Sequence, residues 1–199
     1  AAPLTAFGNT VAASYLRLVP GQEAPTSVCW GERTRTSLIR VPLDFATEGR
    51  LDQVTNPDEA GDYPESIGRT TVEYRSPDGS AFSQLLLAAV TLCIEAGLSS
   101  AESEDLARRL EVSGGSEEVP EAAESLEQLP ASAVEAARSL REHRGFFEDR
   151  GISTRLIDLV VGKLEGESDE GLNARLKALP AGERLKASRR LMHKDVHKH

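Results

Sequence analysis

The chain has 199 residues, of which 39% are hydrophobic and 5% aromatic, and it carries a formal net charge of −9. This length is enough for one domain with a core, or for one large piece of a bigger domain. A net negative surface disfavours nonspecific binding to nucleic acids and to anionic membranes, which attract basic patches. We therefore expect neither a nucleic acid nor a membrane as a partner.

The two cysteines, Cys29 and Cys93, both lie in apolar stretches of the sequence. Buried, reduced cysteines of this kind are typical of proteins in a cytosolic compartment. The sequence thus predicts a cytoplasmic protein with free thiols, and a single disulfide between the two cysteines is the alternative.

The first part of the chain predicts strands. Residues 2–18 mix small and apolar side chains and indicate a helix or a turn-rich segment. Two strands are expected at residues 26–30 and 35–41, separated by Gly31 and Glu32. Residues 43–68 are acidic and rich in Gly and Pro, which predicts a long loop. A third strand is expected at residues 69–76, where period-two geometry places Arg69, Glu73 and Arg75 on one face.

The second part predicts helices. After a turn at residues 77–79, Ser80 is the candidate N-cap of a helix over residues 81–96 that ends at Gly97. This helix is apolar on all sides, which favours burial against a sheet. Residues 99–128 should be irregular, apart from a short helix at 105–110. Further helices are expected at 131–150, 153–165, 169–179 and 181–194. Strands followed by helices predict an α+β fold.

Seven charged residues stand out in the strand-rich part: Arg17, Glu23, Arg35, Arg40, Arg69, Glu73 and Arg75. Converging arginines suit phosphate and carboxylate groups, because the guanidinium fork binds oxyanions in two places. A glutamate among them can bind a hard divalent cation. The alternative is that Glu73 and Arg75 form an ordinary ion pair on a solvated surface. Arg35 and Arg40 would face opposite ways in one regular strand, so either Arg35 precedes the strand or a bulge intervenes.

Three segments in order resemble the glutamine synthetase family. Residues 15–25 (YLRLVPGQEAP) resemble the family pattern SYKRLVPGxEAP. Residues 29–42 (CWGERTRTSLIRVP) are similar to WGxxNRSxxIRxP, and residues 73–81 (EYRSPDGSA) resemble ExRxPDxSA. The apolar helix follows in the expected place, and the helices after residue 129 resemble the helical C-terminus of the family.

The resemblance implies a role for each charged residue. Glu23 and Arg35 would be catalytic: Glu23 removes a proton from ammonium, and Arg35 stabilises the phosphoryl group in flight. The substrate would be bound by Arg17, at the α-carboxylate of glutamate, and by Arg75. The remaining implied contacts are to nucleotide and metal. Arg40 and Arg69 would contact ATP, and Glu73 would be a ligand of Mg²⁺ or Mn²⁺.

The resemblance also implies a fold and an activity. Residues 1–199 would be the C-terminal part of a glutamine synthetase catalytic domain, with a strand-rich active-site segment at 1–79 and a mainly helical part at 80–199. The strands would belong to a curved antiparallel sheet, and the family's N-terminal β-grasp domain would be absent. The implied reaction joins glutamate and ammonia at the expense of ATP, through γ-glutamyl phosphate, in a homo-oligomeric ring.

This sequence departs from the family pattern at several positions, which leaves alternatives open. Thr34 stands where the family has Asn, and Leu16 stands in place of a usual Lys. The residues Phe82-Ser83-Gln84 replace the common Asn-Pro-Tyr. A γ-glutamyl ligase for another amine fits as well, and a non-catalytic relative that acts by binding or assembly is a third possibility. We expect the chain alone to have no synthetase activity, because one glutamate cannot hold two metal ions.

Overall fold

The computed structural model describes residues 1–42, 57–58, 71–112 and 126–196. Within these residues the fold is α+β, as the sequence predicts, with a small sheet and many helices. The strands are β1 (Trp30–Glu32), β2 (Ile39–Val41) and β3 (Glu73–Tyr74). The α-helices are α1 (Thr5–Gly8), α2 (Ser83–Ser99), α3 (Ser103–Leu110), α4 (Ala133–Glu142), α5 (Arg144–Glu148), α6 (Thr154–Glu165), α7 (Leu172–Ala178) and α8 (Ala181–Lys194). Two 3-10 helices, Ala2–Leu4 and Ala12–Leu16, flank α1.

The sheet has the order β1-β2-β3, and only one of its two pairings is antiparallel. Strand β2 pairs with β3 in antiparallel register, with Arg40 opposite Glu73. Strands β1 and β2 are parallel, so the expectation of a purely antiparallel sheet is wrong for that pair. The segment between the two strands, residues 33–38, returns the chain to the start of β1, so that β2 runs in the same direction as β1. Its first residue, Arg33, has a left-handed φ of 61°, and its amide donates to the carbonyl of Val41.

The strand boundaries also differ from the prediction. Gly31 and Glu32, expected to separate two strands, lie inside β1. Gly31 fits there because its backbone meets the segment after α3. A Cβ at this position would lie 2.7 Å from the carbonyl oxygen of Val112. Arg35 precedes β2, which settles the choice between an early Arg35 and a bulge. The predicted loop at 43–68 falls almost wholly outside the described residues. The third strand, expected at 69–76, is shorter than predicted: within residues 71–76 only Glu73–Tyr74 form a strand.

The main core joins the N-terminal segment to the C-terminal helices. Phe7 of α1 is fully buried and meets Phe147 of α5 edge to face, with ring centroids 5.3 Å apart. Helices α4 and α6 pack together through Leu140 and Ile157, both fully buried. Edge-to-face aromatic pairs and buried aliphatic side chains both stabilise such a core. Residues far apart in the chain therefore share one hydrophobic interior.

The predicted helices are largely present, with corrections at their ends. Ser153, the expected first residue of the helix at 153–165, instead caps α6 by accepting a hydrogen bond from the amide of Leu156. Helix α8 has the predicted bounds. The single helix expected at 131–150 is broken at His143 into α4 and α5. The helix expected at 169–179 starts later, at Leu172. Its expected first residue, Asp169, instead accepts hydrogen bonds from the first two amides of α4, at 2.8 and 3.2 Å.

Helix α2 departs most from the sequence-based prediction. It runs on past Gly97 to Ser99, and Ser80 does not cap it. Only Ala89 is fully buried, and the apolar side chains of Leu87 and Leu98 are 68% and 86% exposed. The prediction of a helix buried against a sheet, and not at the surface, is therefore wrong for the described residues. One side packs on the core, and no described element covers the other.

No single helix in the described part of the chain combines the length and apolar character that a membrane crossing needs. Helices α2 and α3 together pass that test by length and composition, although they are bent by 113°.

Candidate functional site

A cluster of arginines and a glutamate lies across strands β2 and β3. Nη2 of Arg40 is 2.7 Å from Oε2 of Glu73, which sits opposite it in the sheet register. Nε of Arg75 is 3.7 Å from the same oxygen. Glu73 and Arg75 therefore share a face, as the period-two pattern predicts. The neighbouring strand adds Arg40 to the pair.

A second ion pair extends this cluster. Arg35 contacts both carboxylate oxygens of Glu23 through Nη1, at 2.9 and 3.0 Å. Both side chains are more than 60% exposed. The main-chain carbonyl of Glu23 accepts a hydrogen bond of 3.1 Å from Nη2 of Arg75. The segment before β1 that carries Glu23 is thus tied to the β3 cluster through Arg75, and Arg35, in the segment between β1 and β2, joins it through its ion pair with Glu23.

Arg17 joins the cluster through backbone groups. Its guanidinium donates to the carbonyl oxygens of Arg75 and Pro77, both at 3.3 Å, and to that of Ser76. It therefore braces the segment that carries Arg75. A guanidinium has further N–H donors, so these bonds do not exhaust its capacity. The six predicted residues within the described part, Arg17, Glu23, Arg35, Arg40, Glu73 and Arg75, form one connected network.

Arg69, the seventh predicted residue, lies outside the described residues. Its proposed contact with nucleotide stays a prediction.

Buried polar residues that the sequence analysis did not single out hold this segment in place. Asn9 donates through Nδ2 to the carbonyl of Ser76, and Ser76 Oγ donates back to Oδ1 of Asn9, both at 2.9 Å. Tyr15 donates to the carbonyl of Asn9 at 3.0 Å. Both Asn9 and Ser76 are fully buried. Their separation of 67 residues explains why no local sequence signal predicted the pair.

The electrostatics favour an anion at this cluster. Burial lowers the pKa of Arg75 below its ordinary value, and the positive charge of Arg40 lowers it further. Two buried donor atoms, Nε of Arg40 and Nη1 of Arg75, have no hydrogen-bond partner among the described residues. Buried donors without partners are costly, so the cluster retains capacity for an acceptor such as a phosphate or carboxylate oxygen.

The same residues do not by themselves make a divalent-cation site. No group of three or more His, Cys, Asp or Glu that could hold a metal ion occurs in the described ranges. Glu73 offers one carboxylate, and that carboxylate is paired with Arg40. Mg²⁺ and Ca²⁺ need several oxygen ligands. The predicted metal role of Glu73 therefore depends on oxygen ligands from outside this cluster.

The described residues thus form a cluster of arginines with unpaired buried donors on an α+β fold, and comparison with known proteins identifies the family of the chain. The family model for the glutamine synthetase catalytic domain matches residues 1–160. The chain therefore belongs to the glutamine synthetase catalytic-domain family.

Several relatives named glutamine synthetase are similar to this chain, over stretches that differ in length. The protein from Aquifex aeolicus is 29% identical over 175 residues, which cover 84% of this chain and 31% of the relative. That from Mycobacterium bovis is 27% identical over 173 residues, covering 86% and 32%. That from Pyrococcus horikoshii is 37% identical over 89 residues, covering 45% and 15%. The matched segments thus span no more than about a third of these relatives' own length.

Proposed function

We propose that this chain supplies part of the active site of a glutamate–ammonia ligase, which forms glutamine through γ-glutamyl phosphate at the expense of ATP. The observation that carries the proposal is the connected network of four arginines and two glutamates around β3. Each of these residues lies in a segment that resembles the family pattern. The curved sheet, the ring assembly and the cytoplasmic location belong to the same proposal.

The arginines supply the positive charge that such a reaction requires. Phosphorylating a carboxylate brings two anions together, so positive charge must offset the repulsion in the transition state. Arg40 and Arg75, with buried donors still unpaired, are proposed to bind phosphate and glutamate oxygens. Arg35 is proposed to stabilise the transferring phosphoryl group. Arg17 is proposed to contact the α-carboxylate of glutamate with donors that its backbone bonds leave free.

Glu23 is the proposed proton acceptor. Its carboxylate is exposed and is paired with Arg35, and an exposed pair of this kind contributes only about 0–1 kcal/mol. The carboxylate can therefore exchange Arg35 for an ammonium ion with little cost. Removing a proton from ammonium gives the amine that attacks the acyl phosphate, with phosphate as the leaving group.

Two other functions compete with this proposal. The departures from the family pattern at Leu16 and Thr34 leave a γ-glutamyl ligase that uses an amine other than ammonia as the first alternative. A non-catalytic relative would bind or assemble without turnover. The proposal and the first alternative share the same arginine chemistry and differ only in the amine.

A chimera tests these possibilities together. In it, this chain replaces the matching segment of the Aquifex aeolicus glutamine synthetase, and product is measured with glutamate, ATP and a panel of amines. We expect turnover with ammonium. Arg40→Gln should reduce kcat/KM at least about tenfold, because a charge-assisted contact in the transition state is lost. The matched control is Arg108→Gln, which removes the same charge from an exposed pair on α3.

The outcomes separate the alternatives. Turnover only with another amine would favour the γ-glutamyl ligase. A chimera that assembles like its host but turns over no amine would contradict both ligase functions. We also expect the isolated chain to form no glutamine, and detectable synthesis by it would overturn that prediction.

A further inference from the structure

The two arginines on β2 and next to β3 share a single carboxylate oxygen. Oε2 of Glu73 lies 2.7 Å from Nη2 of Arg40 and 3.7 Å from Nε of Arg75. The side chains of Arg40 and Arg75 are 24% and 14% exposed, whereas that of Glu73 is 44% exposed. The two positive partners are therefore the more buried, and the negative partner is the most accessible of the three.

The carboxylate does not satisfy the cluster. Nε of Arg40 and Nη1 of Arg75 are buried without a hydrogen-bond partner among the described residues. Across the connected network, four arginines stand against two glutamates. A phosphoryl group has more oxygens than the one oxygen that Glu73 shares between both guanidinium groups. It can therefore satisfy more of these donors at once.

From this geometry we propose that Glu73 is the resident counter-ion of an oxyanion site formed by Arg40 and Arg75, and that a phosphate-type ligand binds by displacing its carboxylate from Arg40. This inference rests on the proposed function and deepens it, because it describes how the positive charge of the same site is partly balanced before ligand arrives. The Glu73 carboxylate then competes with the ligand in the chain without metal.

A counter-ion and a ligand-binding residue respond to substitution in opposite ways. Removing a metal ligand or a direct ligand contact weakens binding. Removing a competing counter-ion strengthens it, because the ligand no longer has to break the Arg40 ion pair and no longer faces a nearby negative charge. Metal-free binding therefore distinguishes the two roles.

The test uses the 199-residue chain, with inorganic pyrophosphate as the probe, a chelator present and ionic strength held constant. Isothermal titration calorimetry compares the wild type with Glu73→Gln. We expect Glu73→Gln to bind pyrophosphate about fivefold more tightly, as for loss of a partly exposed ion pair. The matched control is Glu104→Gln on α3, which makes the same change in charge at an exposed ion pair of its own. Arg40→Gln should bind at least about tenfold more weakly than the wild type.

Each outcome decides for or against the proposal. Tightening by Glu73→Gln without tightening by Glu104→Gln supports it. Unchanged or weaker binding by Glu73→Gln overturns it. If Arg40→Gln also loses affinity in that case, the oxyanion site and the proposed function stand. Equal tightening by both glutamine variants shows a general charge effect and also overturns it.

Absence of binding by the wild type and every variant overturns the proposal as well. The ligase function is then judged separately, by turnover of the chimera. Far-UV circular dichroism confirms that each variant is folded, and Glu73→Ala serves as a second variant if Glu73→Gln does not fold.

Discussion

Replacing Arg17 by Gln should destabilise the fold, because the structure uses this guanidinium as a brace. It donates to the carbonyls of Arg75 and Pro77 at 3.3 Å each, and to that of Ser76. A hydrogen bond to a charged group contributes about 1.5–3 kcal/mol. Two of the three bonds are long, and the Ser76 carbonyl keeps its bond from Asn9. We therefore expect a loss of about 2–3 kcal/mol in the free energy of unfolding.

The matched control is Arg35→Gln, which removes the same charge from a residue that is 64% exposed in its pair with Glu23. That variant should lose no more than about 1 kcal/mol. Urea unfolding followed by far-UV circular dichroism gives both values by linear extrapolation. Equal stabilities for the two variants would refute the assignment of Arg17 as a brace. Arg17→Lys adds a second check, because lysine keeps the charge but lacks the fork that spans three carbonyls.

Three further predictions concern the helical core, a helix cap and alkaline pH. Leu140→Ala should lower the free energy of unfolding in urea by about 2–5 kcal/mol, because Leu140 is fully buried. The control, Leu98→Ala, should change it by less than about 0.5 kcal/mol, and similar losses for both variants would contradict the burial of Leu140 in the core. Ser132→Ala should lower the free energy of unfolding by about 1 kcal/mol, because Ser132 Oγ caps α4 by accepting a hydrogen bond from the amide of Glu135. An unchanged midpoint of urea unfolding would argue against this cap. Burial raises the pKa of Tyr15 and Tyr74 above the ordinary value of 10.0. The stability that their neutral phenols contribute should therefore be fully present below about pH 10 and lost as pH rises further, and a free energy of unfolding that stays constant above about pH 10 would contradict this prediction.

Sequence patterns predicted the elements whose signals are local. The helices expected at 153–165 and 181–194 are present as α6 and α8, with starts within one residue of the prediction. Period-two alternation placed Glu73 and Arg75 on one face, which the structure confirms. These signals depend on the backbone geometry of a few consecutive residues.

The features that the sequence did not predict depend on contacts between distant segments. Asp169 follows a helix and precedes another, but its carboxylate caps α4, 35 and 36 residues away. Arg40 faces Glu73 only because β2 and β3 pair in that register. The apolar run of α2 did not indicate which side would be covered, since every side is apolar, and Leu98 is exposed. Local patterns cannot encode these choices.

The candidate site likewise has a part that could be predicted from the sequence and a part that could not. The arginines and glutamates could be selected from residue type and from family resemblance. Their pairing could not be predicted, because it depends on how the segment bearing Glu23 meets both the segment bearing Arg35 and the residue that follows β3, Arg75. The brace formed by Arg17 is the clearest case. Its partners are main-chain carbonyls, which carry no signature in the sequence.

The central claim is that this site serves ATP-dependent activation of the side-chain carboxylate of glutamate. The most direct test is to supply the chimera with glutamate labelled with oxygen-18 in that carboxylate, together with ATP and ammonium, and to analyse the released phosphate by mass spectrometry. An acyl phosphate intermediate transfers one carboxylate oxygen to the phosphate when the amine displaces it. We predict one labelled oxygen in each phosphate released with glutamine. Glutamine formed with unlabelled phosphate would contradict this account.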